Sequence, residues 1–364
     1  MNPLAGYRDA ELIAKVATEI KNLNLPHRIR IMEVCGGHTA AIYRFALHSL
    51  LPDAIELLSG PGCPVCVTPN SFIDHAIELA KLPETVIATF GDLIRVPGTR
   101  LTLSAARAQG YDIRVFYSSA DALEFAHENP RKQVIFLGVG FETTACTIAA
   151  TMEHAVARRD HNFKLLCALK TMPSALNALL SSSDVRVDGL ILPGHVVTVA
   201  GTEPFEFIAK SLHIPCAVAG FEPLDLMQSV LAIASQVLKR EPAVENKYRR
   251  VVRTAGNVHA QRAMNRMFEV TTIPWRGLGE IGNSGLKLRS EFVNYDASTI
   301  EVTVPPSKEN PACRCGEVLR GLVRPVECPL FGTRCTPQSP VGACMVSSEG
   351  ACAAVYYFQP DHVH

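Results

Sequence analysis

The chain has 364 residues, 48% apolar and 19% charged, with 35 Lys plus Arg balanced by 35 Asp plus Glu. That length suits two or three domains, and the composition is that of a globular rather than a disordered protein. Balanced charge gives no electrostatic case for nucleic acid. No stretch reaches 18 uninterrupted apolar residues and the opening segment shows no signal peptide, so a cytoplasmic protein away from membranes is the expectation.

The run RIRIMEV (28–34) predicts a first strand, which ends at Cys35, Gly36, Gly37 and His38. The glycines allow close approach of the backbone to a ligand, and helix-like sequence starts just after Thr39. A thiol at such a junction is a reactive thiolate or a soft metal ligand. His38 is either a proton donor beside it or a histidine hydrogen-bonded locally at the helix start. AIELLS (54–59) predicts a second strand, running into GPGCPVC (60–66) and then a helix over SFIDHAIELAKL (71–82). The spacing of Cys63 and Cys66 suits half a zinc site, a redox dithiol or part of a cluster-binding set. No second Cys-x-x-Cys or His-x-x-x-His accompanies it, which weakens zinc. The strand–turn–helix setting favours a redox dithiol, made more acidic by a helix N-terminus.

TVIATF (85–90) predicts a third strand that ends in GDLIRVPG, where Asp92 is a candidate acidic group or simply the partner of Arg95. DIRVFY (112–117) predicts a fourth, followed by a helix over 118–128. QVIFLGV (133–139) runs into GFETT, where Glu142 is either functional or a helix N-terminal charge. KLLCAL (164–169), DGLILP (188–193) and PCAVAG (215–220) complete eight strands, with PGHVV at 193–197. Strand–helix alternation predicts an α/β chain of parallel sheets covered by helices. Two sheets of four, with a boundary near Asn129–Pro130, give two Rossmann-like domains, 24–129 with Cys35, Cys63 and Cys66, and 130–228. Functional groups collect beyond the carboxyl ends of such strands, so these motifs are expected to share one cleft. Cys146, Cys167 and Cys216 lie in apolar contexts that predict buried packing roles.

After residue 228 the pattern changes. A long helical stretch (244–270), a Gly-rich segment (275–288) and a Pro-rich link (302–316) lead to a tail with little periodicity. With residues 1–23, residues 229–364 form a third, mixed helical and loop domain. Six of the twelve cysteines fall between Cys313 and Cys352. Cys315, Cys328, Cys335 and Cys352 are separated by 12, 6 and 16 residues, with Cys313 and Cys344 as extras. Four thiolates from a loop-rich segment suit a [4Fe–4S] cluster; zinc is the rival, though its ligands usually come as two close pairs.

The stretches MEVCGGHT, GPGCPVCV, TFGDLIRVPG, GFETT, PGHV, AGFEPLD, VENKYRRVV, WRGLG, CGEVLRG, CPLFGTRC and MVSSEGACAA resemble, in order and over nearly the whole chain, the [NiFe]-hydrogenase maturation family HypD. One departure is Ala40, where the family carries a second histidine. The resemblance implies a scaffold, monomeric on its own, that builds the Fe(CN)2CO unit of the hydrogenase site with the small chaperone HypC. Cyanide would arrive from HypE as a protein-bound thiocyanate, made with HypF. It implies Cys35 as the iron ligand, Cys63 and Cys66 as the redox pair, and the four C-terminal cysteines as ligands of the cluster. A disulfide reductase linked to an iron–sulfur cluster is the alternative; it gives Cys35 no task.

Overall fold

The computed structural model describes residues 5–359. Eleven strands run through the described residues: β1 (Ile29–Glu33), β2 (Ile55–Ser59), β3 (Thr85–Thr89), β4 (Ile113–Val115), β5 (Gln133–Gly140), β6 (Phe163–Leu169), β7 (Gly189–Pro193), β8 (Cys216–Ala219), β9 (Val244–Asn246), β10 (Phe268–Trp275) and β11 (Gly279–Leu288). The eight expected strands are all present. β3 is buried along its whole length and β5 in all but its first residue, as parallel strands covered on both faces should be.

Two parallel sheets form, with the orders β2-β1-β7-β8-β9 and β4-β3-β5-β6. The boundary expected near Asn129–Pro130 does not separate them. β1 pairs with β2 on one side and with β7 on the other, placing Met32 opposite both Leu58 and Leu190. The chain therefore begins the first sheet, builds the whole second sheet, and returns. Periodicity marks strands but carries no information about which neighbour a strand takes, so the interleaving was not legible.

The region 244–270 also differs from its expected helix. Only Val258–Met267 is helical; Val244–Asn246 adds a fifth strand to the first sheet and Phe268 opens β10. Asn257 caps that helix through its side chain, which accepts from the N–H groups of His259 and Ala260. β10 and β11 make an antiparallel hairpin, with Gly277 and Gly279 at positive φ in its turn. The hairpin docks on the end of β6: Thr171 donates its N–H to Ser284 at 2.9 Å.

Both ends of the described segment return to the first sheet. Helix Ala10–Lys21, capped by Asp9, packs on helix Pro223–Lys239. Beside it Arg250 donates to the buried Asp225 at 2.7 Å, and its guanidinium lies 3.8 Å over Tyr7 and 4.5 Å over Tyr248. The last helix, Ala351–Phe358, packs on helix Gly36–Arg44 at the end of β1. One hydrophobic core runs from Met32 and Leu58 through Ile87 and Ile135 to Trp275, Cys335 and Cys352. No helix among the described residues is long and apolar enough to cross a membrane.

Candidate functional site

Cys35 sits just past β1, with extended backbone, as the cap residue of helix Gly36–Arg44. It is 1% exposed. Its N–H donates to Glu33 Oε2 at 3.0 Å, and Glu33 also accepts from the Thr39 hydroxyl. Two glycines make the surroundings possible. A Cβ on Gly62 would collide with the Cys35 backbone, and one on Gly36 with Glu349. The loop after β2 thus lies directly on the loop after β1, tied by Gly36 N–H to Gly62 C=O at 3.0 Å. Burial pushes the Cys35 thiol well above its ordinary range, and nearby Glu349 and Glu33 push the same way; the amides of His38 and Gly37 oppose them.

Two histidines flank this thiol. His195, at the start of the helix after β7, places Nδ1 3.6 Å from Cys35 Sγ. His38 is fully buried. Both rings lie against Phe221, at 5.0 Å for His38 and 5.5 Å for His195. Burial lowers His195 to about 4, and burial with the neighbouring His195 lowers His38 to about 3. Both are neutral imidazoles at pH 7. Among the described residues neither ring nitrogen of His38 has a hydrogen-bond partner of good geometry, which does not match the locally bonded helix-start histidine. His195 was not singled out by sequence reasoning; its signal was its place in PGHVV, directly after a strand end.

Cys63 and Cys66 are both buried, with their sulfurs 2.7 Å apart. The Cys66 N–H donates to Cys63 Sγ at 3.3 Å. Helix Asn70–Ala80 follows, as expected, but it does not make Cys66 acidic. Burial raises Cys66 well above its ordinary value, with Cys63 and Cys352 adding to the rise and Arg276 opposing it. The helix starts four residues further on, too far for its end to outweigh complete desolvation.

The outer acidic groups divide. Asp92 is exposed and does not pair with Arg95, which donates to the Pro337 carbonyl at 2.8 Å instead. Asp92 acts on Glu349, whose carboxyl is pushed up first by burial and then by Asp92; Glu349 in turn lies against Gly36. Asp92 therefore belongs to the rim of the Cys35 site. Glu142 is held by the start of the helix after β6. Its Oε1 accepts the Met172 N–H at 2.8 Å, its Oε2 is buried without a partner, and burial raises it to about 7.

The C-terminal cysteines gather in one place. Cys313, Cys315, Cys328, Cys335, Cys344 and Cys352 line a single small cavity with Val318, Leu330, Phe331 and Met345. Cys315 is disulfide-bonded to Cys344, and the other four are free. Cys352 is raised by burial and then by the charges of Cys335, Cys313 and Cys328, which places these four thiols within electrostatic reach of one another. Among the described residues no three His, Cys, Asp or Glu side chains stand close enough to hold a single metal ion. The cavity borders the dithiol: Cys66 Sγ lies 3.9 Å from the carbonyl of Ala343, the residue before Cys344. Of the three packing cysteines, Cys216 is buried, while Cys146 and Cys167 are partly exposed and point their thiols at the carbonyls of Thr143 and Leu286.

Arg276 also escaped sequence reasoning. Its side chain is 4% exposed, and Nη2 donates to the Thr68 carbonyl at 2.7 Å while its backbone N–H donates to the Val67 carbonyl at 2.8 Å. Glu309 is its ion-pair partner at 2.8 Å. The signal was an arginine among the glycines of WRGLG, where a solvated turn needs no cation.

Two parallel sheets, a buried thiol beside a histidine, a contiguous dithiol and a third group of thiols define an α/β protein that gathers its cysteines at the carboxyl ends of its strands and in its tail. Residues 11–359 match the model of the HypD family, described as Hydrogenase formation hypA family. The chain is 47% identical to the Hydrogenase maturation factor HypD of Rhizobium leguminosarum bv. viciae, covering 96% of this chain and 93% of that protein. It is 48% identical to the HypD of Escherichia coli (strain K12), over 91% of this chain and 89% of the relative. The HypD of Cupriavidus necator is 42% identical over 98% and 97%. The chain belongs to the HypD family of hydrogenase maturation factors.

Proposed function

We propose that this maturation factor is a redox-active scaffold which, with HypC, assembles the Fe(CN)2CO unit of the [NiFe] site. The iron is the cargo, held by the Cys35 sulfur together with a cysteine of HypC. The observation that carries the proposal is the position of Cys63 and Cys66. Their loop is bonded to the Cys35 loop through Gly62, and their sulfurs abut the cysteine segment through Ala343.

Releasing cyanide from a thiocyanate supplied by HypE takes two electrons. The balance is dithiol plus R–S–CN giving disulfide, R–SH and HCN. Sulfurs already 2.7 Å apart need little movement to close that bond. Cys35 binds iron by giving up its proton, and its burial keeps the free thiol protonated until a metal competes for the sulfur. His195 and Phe221 close the far side of this sulfur, while Asp92 and Glu349 form its outer rim.

The donor set of the C-terminal cavity fits an iron–sulfur cluster: six cysteine sulfurs, Cys315, Cys328, Cys335 and Cys352 among them, around one apolar-walled space. Spacing alone points to Cys315 as the first ligand. With Cys328, Cys335 and Cys352 it makes the four-thiolate set, and Cys313 and Cys344 line the same cavity as extras. A cluster bound there would supply electrons one at a time.

The disulfide-reductase alternative leaves the Cys35–His195 pair unexplained. Anaerobic copurification with HypC, followed by infrared spectroscopy in the CN and CO stretching region, separates the two. Both bands are expected in the native complex and neither in Cys35→Ser; bands that survive Cys35→Ser refute Cys35 as the iron ligand.

A further inference from the structure

Arg276 joins two parts of the chain that are far apart in sequence. It leaves the end of β10, hydrogen-bonds the carbonyls that directly follow Cys66, and pairs with Glu309 ahead of Cys313. The adjacent Gly277 packs on Gly316, so the hairpin turn is pressed against the cysteine segment. One carbonyl, that of Thr68, and one carboxylate use part of the guanidinium, while Nε is buried without a partner. Carbonyl contacts of this kind would be served by a neutral side chain. A buried cation is costly unless something nearby carries negative charge. Glu309 is half-exposed and offsets it only in part.

We infer that Arg276 holds the negative charge of the Cys66 sulfur when the Cys63–Cys66 disulfide is opened. This rests on the dithiol role proposed above and assigns a second residue to it. An incoming dithiol reductant attacks as a thiolate. Cys63 is the residue that retains some exposure, at 3% against 0% for Cys66, and is taken as the attacked sulfur. The new S–S bond forms to Cys63, the Cys63–Cys66 bond breaks, and the electron pair leaves on Cys66 Sγ. A second attack by the reductant's other thiol frees Cys63 and completes the two-electron reduction. Exchange is faster when the leaving sulfur is better stabilised as a thiolate. Cys66 has almost no water to do this. Arg276 is the cation that acts on Cys66, and it acts on Cys313 as well. Arg276 is thus a positioning residue for charge.

The test uses the full-length protein with the pair oxidised. Opening by dithiothreitol is followed by timed alkylation and mass spectrometry of the peptide containing Cys63 and Cys66. R276Q keeps hydrogen-bond donors but loses the charge, and is expected to slow opening about fivefold, below the roughly tenfold ceiling set by one pKa unit on a leaving group. R276K, which keeps the charge, is expected to stay within threefold of wild type. E309Q breaks the ion pair yet frees the cation, and is expected to speed opening at least twofold. A purely structural role predicts the reverse for E309Q, because loosening the anchor would harm the site. The inference is overturned if R276Q opens within twofold of wild type, or if E309Q opens no faster than wild type. The E309Q comparison stands even where R276Q does not fold. If Cys63 and Cys66 form no reversible disulfide in the wild-type protein, the dithiol role itself falls and this inference with it.

Discussion

Cys35 and Glu142 show how differently two residues flagged by their motifs can be used. Cys35 lies where a strand end, a glycine pair and a neighbouring loop place a thiol in a dry pocket, and each of those features was visible in EVCGGHT and GPGC. His195 and Arg276 were not legible, because their roles depend on contacts with loops more than a hundred residues away. Glu142 reads like an active-site acid but is held by Met172, with one oxygen unpartnered. Its folded-state pKa of about 7 lies above the ordinary carboxyl value. The folded state therefore keeps a proton that the unfolded chain releases. Stability from this group is full below about pH 4.5 and is lost as pH rises to about 7. Glu142→Gln removes that loss. Its urea midpoint is expected to change less than that of wild type between pH 5 and pH 8, the gap at pH 8 being worth about 2–3 kcal/mol. Equal slopes in the two proteins would show that Glu142 is ionised in the fold.

At the scale of elements, alternation of β-branched runs and helical stretches was enough to place the strands, and the helix expected over 71–82 after β2 is found at Asn70–Ala80. The hairpin of β10 and β11 was not found, because its glycines hide the period-2 pattern and Pro274 falls within the run. The contact between the loops after β1 and β2 is the tightest element-level feature of the site. Gly62→Ala would force the Cys35 backbone away, an overpacking cost of about 1–3 kcal/mol. A lower urea midpoint is expected, together with faster alkylation of Cys35 by iodoacetamide as its pocket loosens. Unchanged Cys35 alkylation would mean that the loops are not held as described.

Across the whole molecule the second sheet is inserted into the first. The sequence displayed eight strands in a row, and nothing in their composition distinguishes β1–β2–β7–β8–β9 from two consecutive sets of four. The consequence is testable. A fragment ending at Asn129 contains β1 and β2 without β7, the partner of β1 through Leu190 and Ile191. It is expected to lack a cooperative thermal transition by circular dichroism. A fragment that melts cooperatively would mean that the first sheet is complete without the return of the chain.

The same interleaving, with the last helix laid on helix Gly36–Arg44, brings both the Cys35 loop and the cysteine-rich tail against the segment that carries the dithiol. The most direct measurement is on Cys66→Ala, purified anaerobically and also supplied to cells lacking their own copy of the factor. The protein is expected to retain the visible absorbance of a C-terminal cluster while hydrogenase activity in those cells is abolished. Hydrogenase activity restored by Cys66→Ala would contradict the central role given to the pair.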